Sequence, residues 1–210
     1  MVSKKKELEL NLSKVSDFEN PNVRLEQYMT SAEVASTMIH MADMNGDIEG
    51  KIIVDLGAGT GMLAIGSALR NPRGVIGIEK DKSALLIAKK NVDAISKEIM
   101  VEWVLADIEH VPVKIVNKVD VTGIMNPPFG AQKSYKHADR KFLEKISEIA
   151  SVSYSIHNGD SIGFIENFVE EKNGVISHSY SIVMELKRSQ KFHTKKRKEI
   201  EMEVHRIRWE

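Results

Sequence analysis

A short apolar strand that runs directly into a glycine-rich turn constrains the fold more than any other feature of the sequence. Residues 51–57, KIIVDLG, form an apolar run that ends at an acid and a glycine, a pattern typical of a strand buried on both faces. The helical segment GMLAIGSALR follows at once and stops before Asn71-Pro72, because the residue before a proline disfavours helix. Strand, tight turn and helix in this order begin a βαβ unit, whose strands run parallel.

The same alternation continues along the chain. Further strands are predicted at GVIGIEKD, MVEWVLADI, VDVTGIMN and SVSYSIH, and further helices at SAEVASTMIHMADM, KSALLIAKKNVDAIS, HADRKFLEKISEIA and DSIGFIENFVEEKN. The last two alternating runs, GVISHSYSIVMELK and RKEIEMEVHRIRW, predict an antiparallel hairpin. The sequence therefore predicts an α/β fold with a doubly wound, mostly parallel, seven-stranded sheet. The C-terminal hairpin is expected to add one antiparallel edge strand.

Length and composition narrow the class of protein. The 210 residues, 42% hydrophobic and 29% charged, fit one ordinary globular domain with its own core. No apolar stretch approaches the roughly 20 residues of a membrane helix, and no apolar leader follows the N-terminal MVSKKKELEL, so we expect a cytoplasmic protein. The chain has no cysteine, which excludes disulfides and thiolate chemistry, and its histidines lack metal-ligand spacing.

The first predicted strand end is a dense glycine loop. Gly57, Gly59 and Gly61 in DLGAGTG let the backbone turn tightly and approach a ligand closely. Asp55 can orient this loop or reach a charged group of the ligand. The spacing differs from the G-x-G-x-x-G of dinucleotide dehydrogenases, since Met62 stands where the third glycine would be. A tight turn without a ligand is the alternative interpretation.

The next two strand ends carry groups that suit an adenosine. Glu79 lies 22 residues after Gly57, in the range where an acid accepts hydrogen bonds from ribose hydroxyls. Asp107 can accept a hydrogen bond from a purine amine, and the Ile108 backbone N–H can donate to a ring nitrogen. Because ligands of such sheets bind beyond the carboxyl ends of the strands, these residues form one candidate site.

The fourth strand ends in the segment NPPF, residues 126–129. An aromatic amine is a poor nucleophile because its lone pair is delocalised into the ring. The Asn126 side-chain oxygen and the Pro127 carbonyl can accept the two N–H bonds of such an amine and free that pair. Pro127 and Pro128 fix the two acceptors in advance, and Phe129 offers a face on which a base can stack. The segment predicts methyl transfer to an arylamine from a sulfonium donor.

Two further features allow more than one interpretation. Residues 187–198, KRSQKFHTKKRK, contain seven Lys or Arg and no acid, and form either a solvated loop or an arm that contacts RNA phosphates. His157 follows a predicted strand and either faces the cleft or orients a loop, of which the second is the commoner role.

The motifs resemble those of class I S-adenosylmethionine-dependent methyltransferases of the amino-methylating type, with DLGAGTG similar to their motif I and NPPF to their motif IV. The likeness extends to the methyltransferase-like protein five family, the small-subunit rRNA N6-adenosine methyltransferases. FENPNVRLEQYMTSAEVASTM resembles the segment of that family that covers the methyl donor. IMNPPFG, the Y-S-x-H strand at 154–157 and the KFH-x-KK turn at 191–196 complete a resemblance that runs from about Phe18 to Trp209.

The resemblance implies a Rossmann-like methyltransferase domain over 1–210, with a donor-covering segment and helix in 1–45 and the core in 50–210. It implies these roles: Gln27, Tyr28, Thr30, Asp55, Gly57, Gly59, Thr60, Gly61, Met62, Glu79, Asp107 and Ile108 at S-adenosyl-L-methionine; Asn126, Pro127, Pro128 and Phe129 at the target adenine; Lys191, Phe192, His193, Lys195, Lys196 and Arg197 at structured rRNA. The sequence departs from the family at Ala58, at Met29 and in the loop AQKSYKHADRKF.

The family also works with a small zinc-binding activator of the Trm112 type, which pairs edge to edge with the sheet and covers apolar surface. A similar partner is expected here by resemblance alone. The alternative substrates are a DNA adenine or a glutamine side chain of a protein. A non-catalytic RNA-binding module is the alternative of another class, and the intact NPPF segment and glycine loop argue against it. An NAD-dependent dehydrogenase is disfavoured by the glycine spacing.

Overall fold

The predicted alternation of strands and helices is confirmed by the computed structural model, which describes residues 4–22, 25–112, 117–128, 138–186 and 198–210. The strands are β1 (Ile52–Leu56), β2 (Gly74–Glu79), β3 (Glu102–Leu105), β4 (Val121–Met125), β5 (Val152–Asn158), β6 (Val175–Leu186) and β7 (Lys198–Arg208). The helices are α1 (Lys4–Leu12), α2 (Ala32–Met44), α3 (Met62–Ala68), α4 (Lys82–Ile95), α5 (Ala138–Ile149) and α6 (Ile162–Glu171).

All seven strands form one sheet in the order β3-β2-β1-β4-β5-β7-β6. The first five are joined by parallel pairs, in which Leu56 of β1 lies beside Ile78 of β2 and Met125 of β4. The carboxyl ends of β1, β2 and β4 therefore meet at one edge of the sheet. This is the edge to which the sequence assigns its candidate site.

The C-terminal hairpin is confirmed, but its antiparallel strand is not at the edge of the sheet. β7 pairs antiparallel with β5 on one side and with β6 on the other, so β6 is the edge strand and runs parallel to β5. Burial explains the order, because Met202, Val204 and Ile207 of β7 are fully buried. The run SHSYS of β6, residues 177–181, carries polar side chains that suit the margin of a sheet.

Helices cover both faces of the sheet. On one face Leu12 of α1, Met38 of α2 and Ile65 of α3 share a core with Ile53 of β1. On the other face α5 and α6 bury a second apolar cluster against the sheet. The helix α1 was not predicted from the sequence, since only Leu8 and Leu12 of its nine residues are buried. Both buried leucines belong to the apolar cluster that α1 shares with the sheet. Within the described ranges, every helix is too short or too polar to cross a membrane.

Candidate functional site

A cavity of about 590 Å³ lies at the carboxyl edge of β1, β2, β3 and β4. It brings together most of the residues that the sequence assigns to a donor and a target: Gln27, Tyr28, Thr30, Asp55, Gly57, Gly59, Thr60, Met62, Glu79, Asp107, Ile108, Asn126 and Pro128. Gly61 and Pro127 lie next to lining residues. Phe129 and the predicted RNA-contacting residues 191–197 fall outside the residues that the structure describes.

The glycine loop between β1 and α3 forms the floor of the cavity. The φ angles of Gly57, Gly59 and Gly61 are all positive, at 72°, 54° and 92°, a region that side chains disfavour. A Cβ atom at Gly59 would lie 3.0 Å from the Phe18 ring, and one at Gly61 would lie 2.9 Å from the Trp103 ring. The loop therefore needs glycine both for its turns and for the close approach of two aromatic rings.

Asp55 is hydrogen-bonded to the first turn of α3, the helix that follows the glycine loop. Its side chain is 1% exposed, and its Oδ2 accepts the Ala64 backbone N–H at 2.9 Å. The pKa of the Asp55 carboxyl is raised to about 8: burial raises it most, the hydrogen bond from Ala64 opposes the rise, and the nearby Glu79 charge adds to it. The side chain thus bonds to the helix that follows the glycine loop and also borders the cavity, so both predicted roles stay open.

Glu79 joins the glycine loop to the start of α4. Its Oε2 accepts the Gly59 N–H at 2.9 Å and its Oε1 accepts the Asp81 N–H at 2.9 Å. Burial raises the pKa of the Glu79 carboxyl, against the backbone hydrogen bonds that lower it. Each carboxylate oxygen has lone-pair capacity beyond these bonds, so the group can still accept hydroxyl donors from the cavity.

The end of β3 forms the next part of the wall. Asp107 begins a short 3-10 turn, Ile108–His110, and its Oδ1 accepts the Glu109 N–H at 3.1 Å. Its Oδ2 lies 3.8 Å from the Lys80 Nζ. At the rim, Lys141 of α5 forms an ion pair of 2.6 Å with Glu109, so this wall is tied to α5.

Residues 25–30, here called the strap, all line the cavity. Gln27 donates from Nε2 to the Asp81 Oδ2 at 2.7 Å and accepts the Asn22 N–H at 2.8 Å. The Gln27 side chain, predicted to face a donor, thus also ties the strap to Asp81, the residue that caps the start of α4. This bond joins residues 54 positions apart, and no local pattern in the sequence predicts it.

The strap is also bonded to the NPPF segment. The Tyr28 hydroxyl donates to the Asn126 Oδ1 at 3.2 Å, and the Asn126 Nδ2 donates to the Thr30 Oγ1 at 2.9 Å. Thr30 is 5% exposed and Pro127 is buried. Tyr28 and Thr30, which are predicted to bind the donor, are therefore hydrogen-bonded directly to Asn126, which is predicted to bind the target.

Asn91 of α4 holds the site together and was missed in the sequence. Its side chain is 3% exposed; its Oδ1 accepts the Ser16 N–H at 3.0 Å, and its Nδ2 donates to the Ser16 and Thr60 carbonyls at 3.1 and 2.9 Å. A signal was present, because Asn91 continues the apolar stripe of Ala84, Ile87 and Ala88 at helical spacing. A polar residue in such a stripe needs buried partners.

His157 lies inside the sheet, away from the cavity lining. Its side chain is buried and its Nε2 is 2.8 Å from the Ser155 Oγ. Burial, together with the smaller effect of the neighbouring His205, lowers the pKa of His157 to about 3. The ring is therefore neutral, and of its two predicted roles the one that faces the cleft is not supported.

Comparisons with known proteins find relatives over nearly the whole chain. The family model described as the methyltransferase small domain matches residues 26–193. The crystal structure of a proposed RNA methyltransferase from Pyrococcus horikoshii is 39% identical and superposes with a TM-score of 0.86, covering 100% of this chain and 99% of that one. An uncharacterised protein of Methanocaldococcus jannaschii is 37% identical over 97% of this chain and 94% of its own length. The rRNA N(6)-adenosine-methyltransferase of Danio rerio is 34% identical over 97% and 98%.

Proposed function

Because the chain belongs to the methyltransferase small domain family, we propose that it transfers a methyl group to the N6 amine of an adenosine in small-subunit ribosomal RNA. The methyl donor of this methyltransferase is S-adenosylmethionine. Relatives at 29–35% identity over nearly the whole chain are rRNA N6-adenosine methyltransferases. The observation that carries the proposal is the continuity of the cavity, which is bordered by the glycine loop and by Asn126.

The residues of the cavity fit the donor. A volume of about 590 Å³ lies within the roughly 300–1,000 Å³ of small-molecule sites. Glu79 and Asp107 offer carboxylate oxygens at the ends of β2 and β3, where they can accept from ribose hydroxyls and from an adenine amine. Gly57 and Gly59 carry no side chain at the cavity wall, so the backbone of the loop can approach the donor there. When bound, S-adenosylmethionine supplies an electrophilic methyl group on a sulfonium centre.

The NPPF segment holds the target amine. The Asn126 Oδ1 and the Pro127 carbonyl accept the two N–H bonds of the amine, which draws its lone pair out of conjugation with the ring. Both prolines restrict the backbone, so the acceptors are oriented before the substrate arrives and need no reorganisation. Phe129 stacks on the base. The extra proton of the product nitrogen passes to water, so the reaction requires no strong base.

The substrate and its surroundings form the remaining part of the proposal. The RNA is contacted by the segment that contains Lys191, Phe192, His193, Lys195, Lys196 and Arg197. Its lysines and arginine neutralise phosphates, which supplies much of the affinity for structured RNA. A small zinc-binding activator of the Trm112 type covers the free edge of β3, where Leu105 is 54% exposed. A cytoplasmic location follows from the proposed rRNA substrate.

A methylation assay tests the proposal. Unmodified small-subunit rRNA transcribed in vitro is incubated with labelled S-adenosylmethionine, with and without the activator, and the RNA is digested to nucleosides. We expect N6-methyladenosine in the wild-type reaction. Asn126→Ala should lower kcat by about 100-fold or more, as for the loss of an oriented transition-state group, while S-adenosylhomocysteine still binds within roughly 10-fold of wild type.

Asn11→Ala, on α1 and outside the cavity lining, is the matched control and should keep wild-type turnover. Label in DNA or in protein glutamine, with none in RNA, would replace the proposed substrate. A fully active Asn126→Ala variant would contradict the role of the amide.

A further inference from the structure

The Asn126 amide presents a choice of two orientations that its own backbone does not decide. The terminal torsion of an asparagine is broad and roughly two-fold, so the oxygen and the NH₂ group can exchange places by rotation. Only one orientation places an acceptor before a target amine. The other places N–H donors there, which repel the N–H bonds of the substrate. Some other part of the chain must therefore set the rotation.

The strap supplies a hydroxyl at each end of the amide. Tyr28 donates to the Asn126 Oδ1 at 3.2 Å, and Thr30 accepts from the Asn126 Nδ2 at 2.9 Å. A phenol is the more acidic hydroxyl and hence the better donor, whereas an aliphatic hydroxyl is the better acceptor. The pair therefore favours the observed rotation over its reverse. Burial raises the pKa of Tyr28 well above its ordinary value, so this hydroxyl keeps the proton that it donates.

The two hydrogen bonds leave one acceptor position on the Asn126 oxygen for the target amine. An asparagine oxygen accepts two hydrogen bonds and its nitrogen donates two. Tyr28 uses one position of the oxygen and Thr30 one hydrogen of the nitrogen, so a second oxygen position remains for the target amine. The low exposure of Thr30, 5%, keeps competing water from this end of the amide.

On this geometry, and resting on the function proposed above, we propose that Tyr28 and Thr30 are positioning residues that hold the Asn126 oxygen toward the target amine. Both lie on the strap, which also lines the donor part of the cavity and is tied to α4 through Gln27. The strap thus contacts the donor and also sets the orientation of the Asn126 amide that accepts from the target amine. A hydroxyl lost from the strap should impair turnover more than donor binding.

Kinetics of three variants test the positioning. Tyr28→Phe and Thr30→Val remove one hydroxyl each with little change of shape. Each should lower kcat by about 10-fold while the KM for S-adenosylmethionine stays within about 3-fold, the pattern of a contact that matters in the transition state. Thr30→Ser retains a hydroxyl and should recover turnover to within about 3-fold of wild type. Equal kcat values for wild type, Tyr28→Phe and Thr30→Val would overturn the inference.

A second measurement needs no substrate. In ¹⁵N-labelled protein the side-chain NH₂ signals of Asn126, assigned through their loss in Asn126→Ala, should shift in Thr30→Val and exchange faster with water. The NH₂ signals of Asn91, which is buried and fully bonded elsewhere, serve as the internal control and should stay in place. Unchanged Asn126 signals in both Tyr28→Phe and Thr30→Val would overturn the positioning role. Absence of methylated adenosine with wild type would instead overturn the proposed function, and the NMR result would still decide the positioning.

Discussion

At the scale of single residues, the sequence predicted which side chains surround the cavity but not how each is held. Asp55, Glu79, Asp107 and Asn126 could be identified because each lies at the carboxyl end of a predicted strand, and parallel strands end at one edge. Their partners could not, since these lie far away in the chain: Asn126 bonds to Tyr28, 98 residues before it. The orientation of a polar group depends on such distant contacts.

The pH response of Asp55 gives a prediction at this scale. In the folded protein its pKa is about 8, whereas an unfolded aspartate has a pKa of roughly 3.9. Between these values the folded state binds more protons than the unfolded state. The free energy of unfolding should therefore fall as pH rises from about 4 to about 8. Asp55→Asn keeps an oxygen for the Ala64 N–H and removes the titration, so its stability should depend less on pH.

Urea denaturation without donor, at pH 5 and at pH 8, measures the difference. Glu79, whose pKa is also raised, contributes a slope of the same sign that remains in the variant. Asp93→Asn changes an exposed carboxyl group on α4 and is the matched control. Identical losses of stability between the two pH values in wild type and Asp55→Asn would contradict a protonated, buried Asp55.

At the scale of elements, the central strands and their helices could be predicted because their apolar residues follow strand or helix spacing. The sequence did not predict α1, whose residues 4–7 are Lys-Lys-Lys-Glu, nor the place of β7 inside the sheet. The order of strands in a hairpin depends on which strand finds apolar neighbours on both sides. The pairing of β7 with β5, over seven aligned residue pairs, decides this order. Local sequence preference cannot predict such a pairing between distant segments.

Asn91 gives the prediction at this scale, since one side chain joins three segments. Asn91→Ala removes bonds to the Ser16 N–H and to the carbonyls of Ser16 and Thr60 and leaves these groups without that partner. We expect the free energy of unfolding to fall by about 1–3 kcal/mol. The Kd of S-adenosylhomocysteine should rise several-fold, because the glycine loop and the chain before the strap lose a common anchor.

Calorimetric titration with S-adenosylhomocysteine and chemical denaturation report the two effects. Lys89→Ala, at an exposed position of the same helix, controls for changes in helix propensity and should alter neither quantity by much. If Asn91→Ala lost stability but bound the ligand as tightly as wild type, the amide would support the fold without shaping the cavity.

At the scale of the whole molecule, exposed apolar side chains lie on and near β3 among the residues whose side chains the structure describes. Leu105 of β3 is 54% exposed, Met100 just before β3 is 77% exposed, and Leu86 of α4 is 52% exposed. At the other edge, the Val175 side chain of β6 is 46% exposed. An uncovered strand edge with an apolar margin is suited to the addition of a strand from a partner. The sequence alone gave no reason to prefer one edge.

The β3 edge is therefore where the proposed activator should bind. Leu105→Lys places a charge on the edge strand, a substitution by which natural sheets resist edge pairing, and should abolish the complex without unfolding the protein. Val175→Lys makes the same change on β6, the opposite edge, and should leave the complex intact. Light scattering of the protein mixed with a purified zinc-binding activator would distinguish a 1:1 complex from free chains. Retention of the complex by Leu105→Lys, with loss in Val175→Lys, would move the partner to the β6 edge, because each charge acts only where a strand is added.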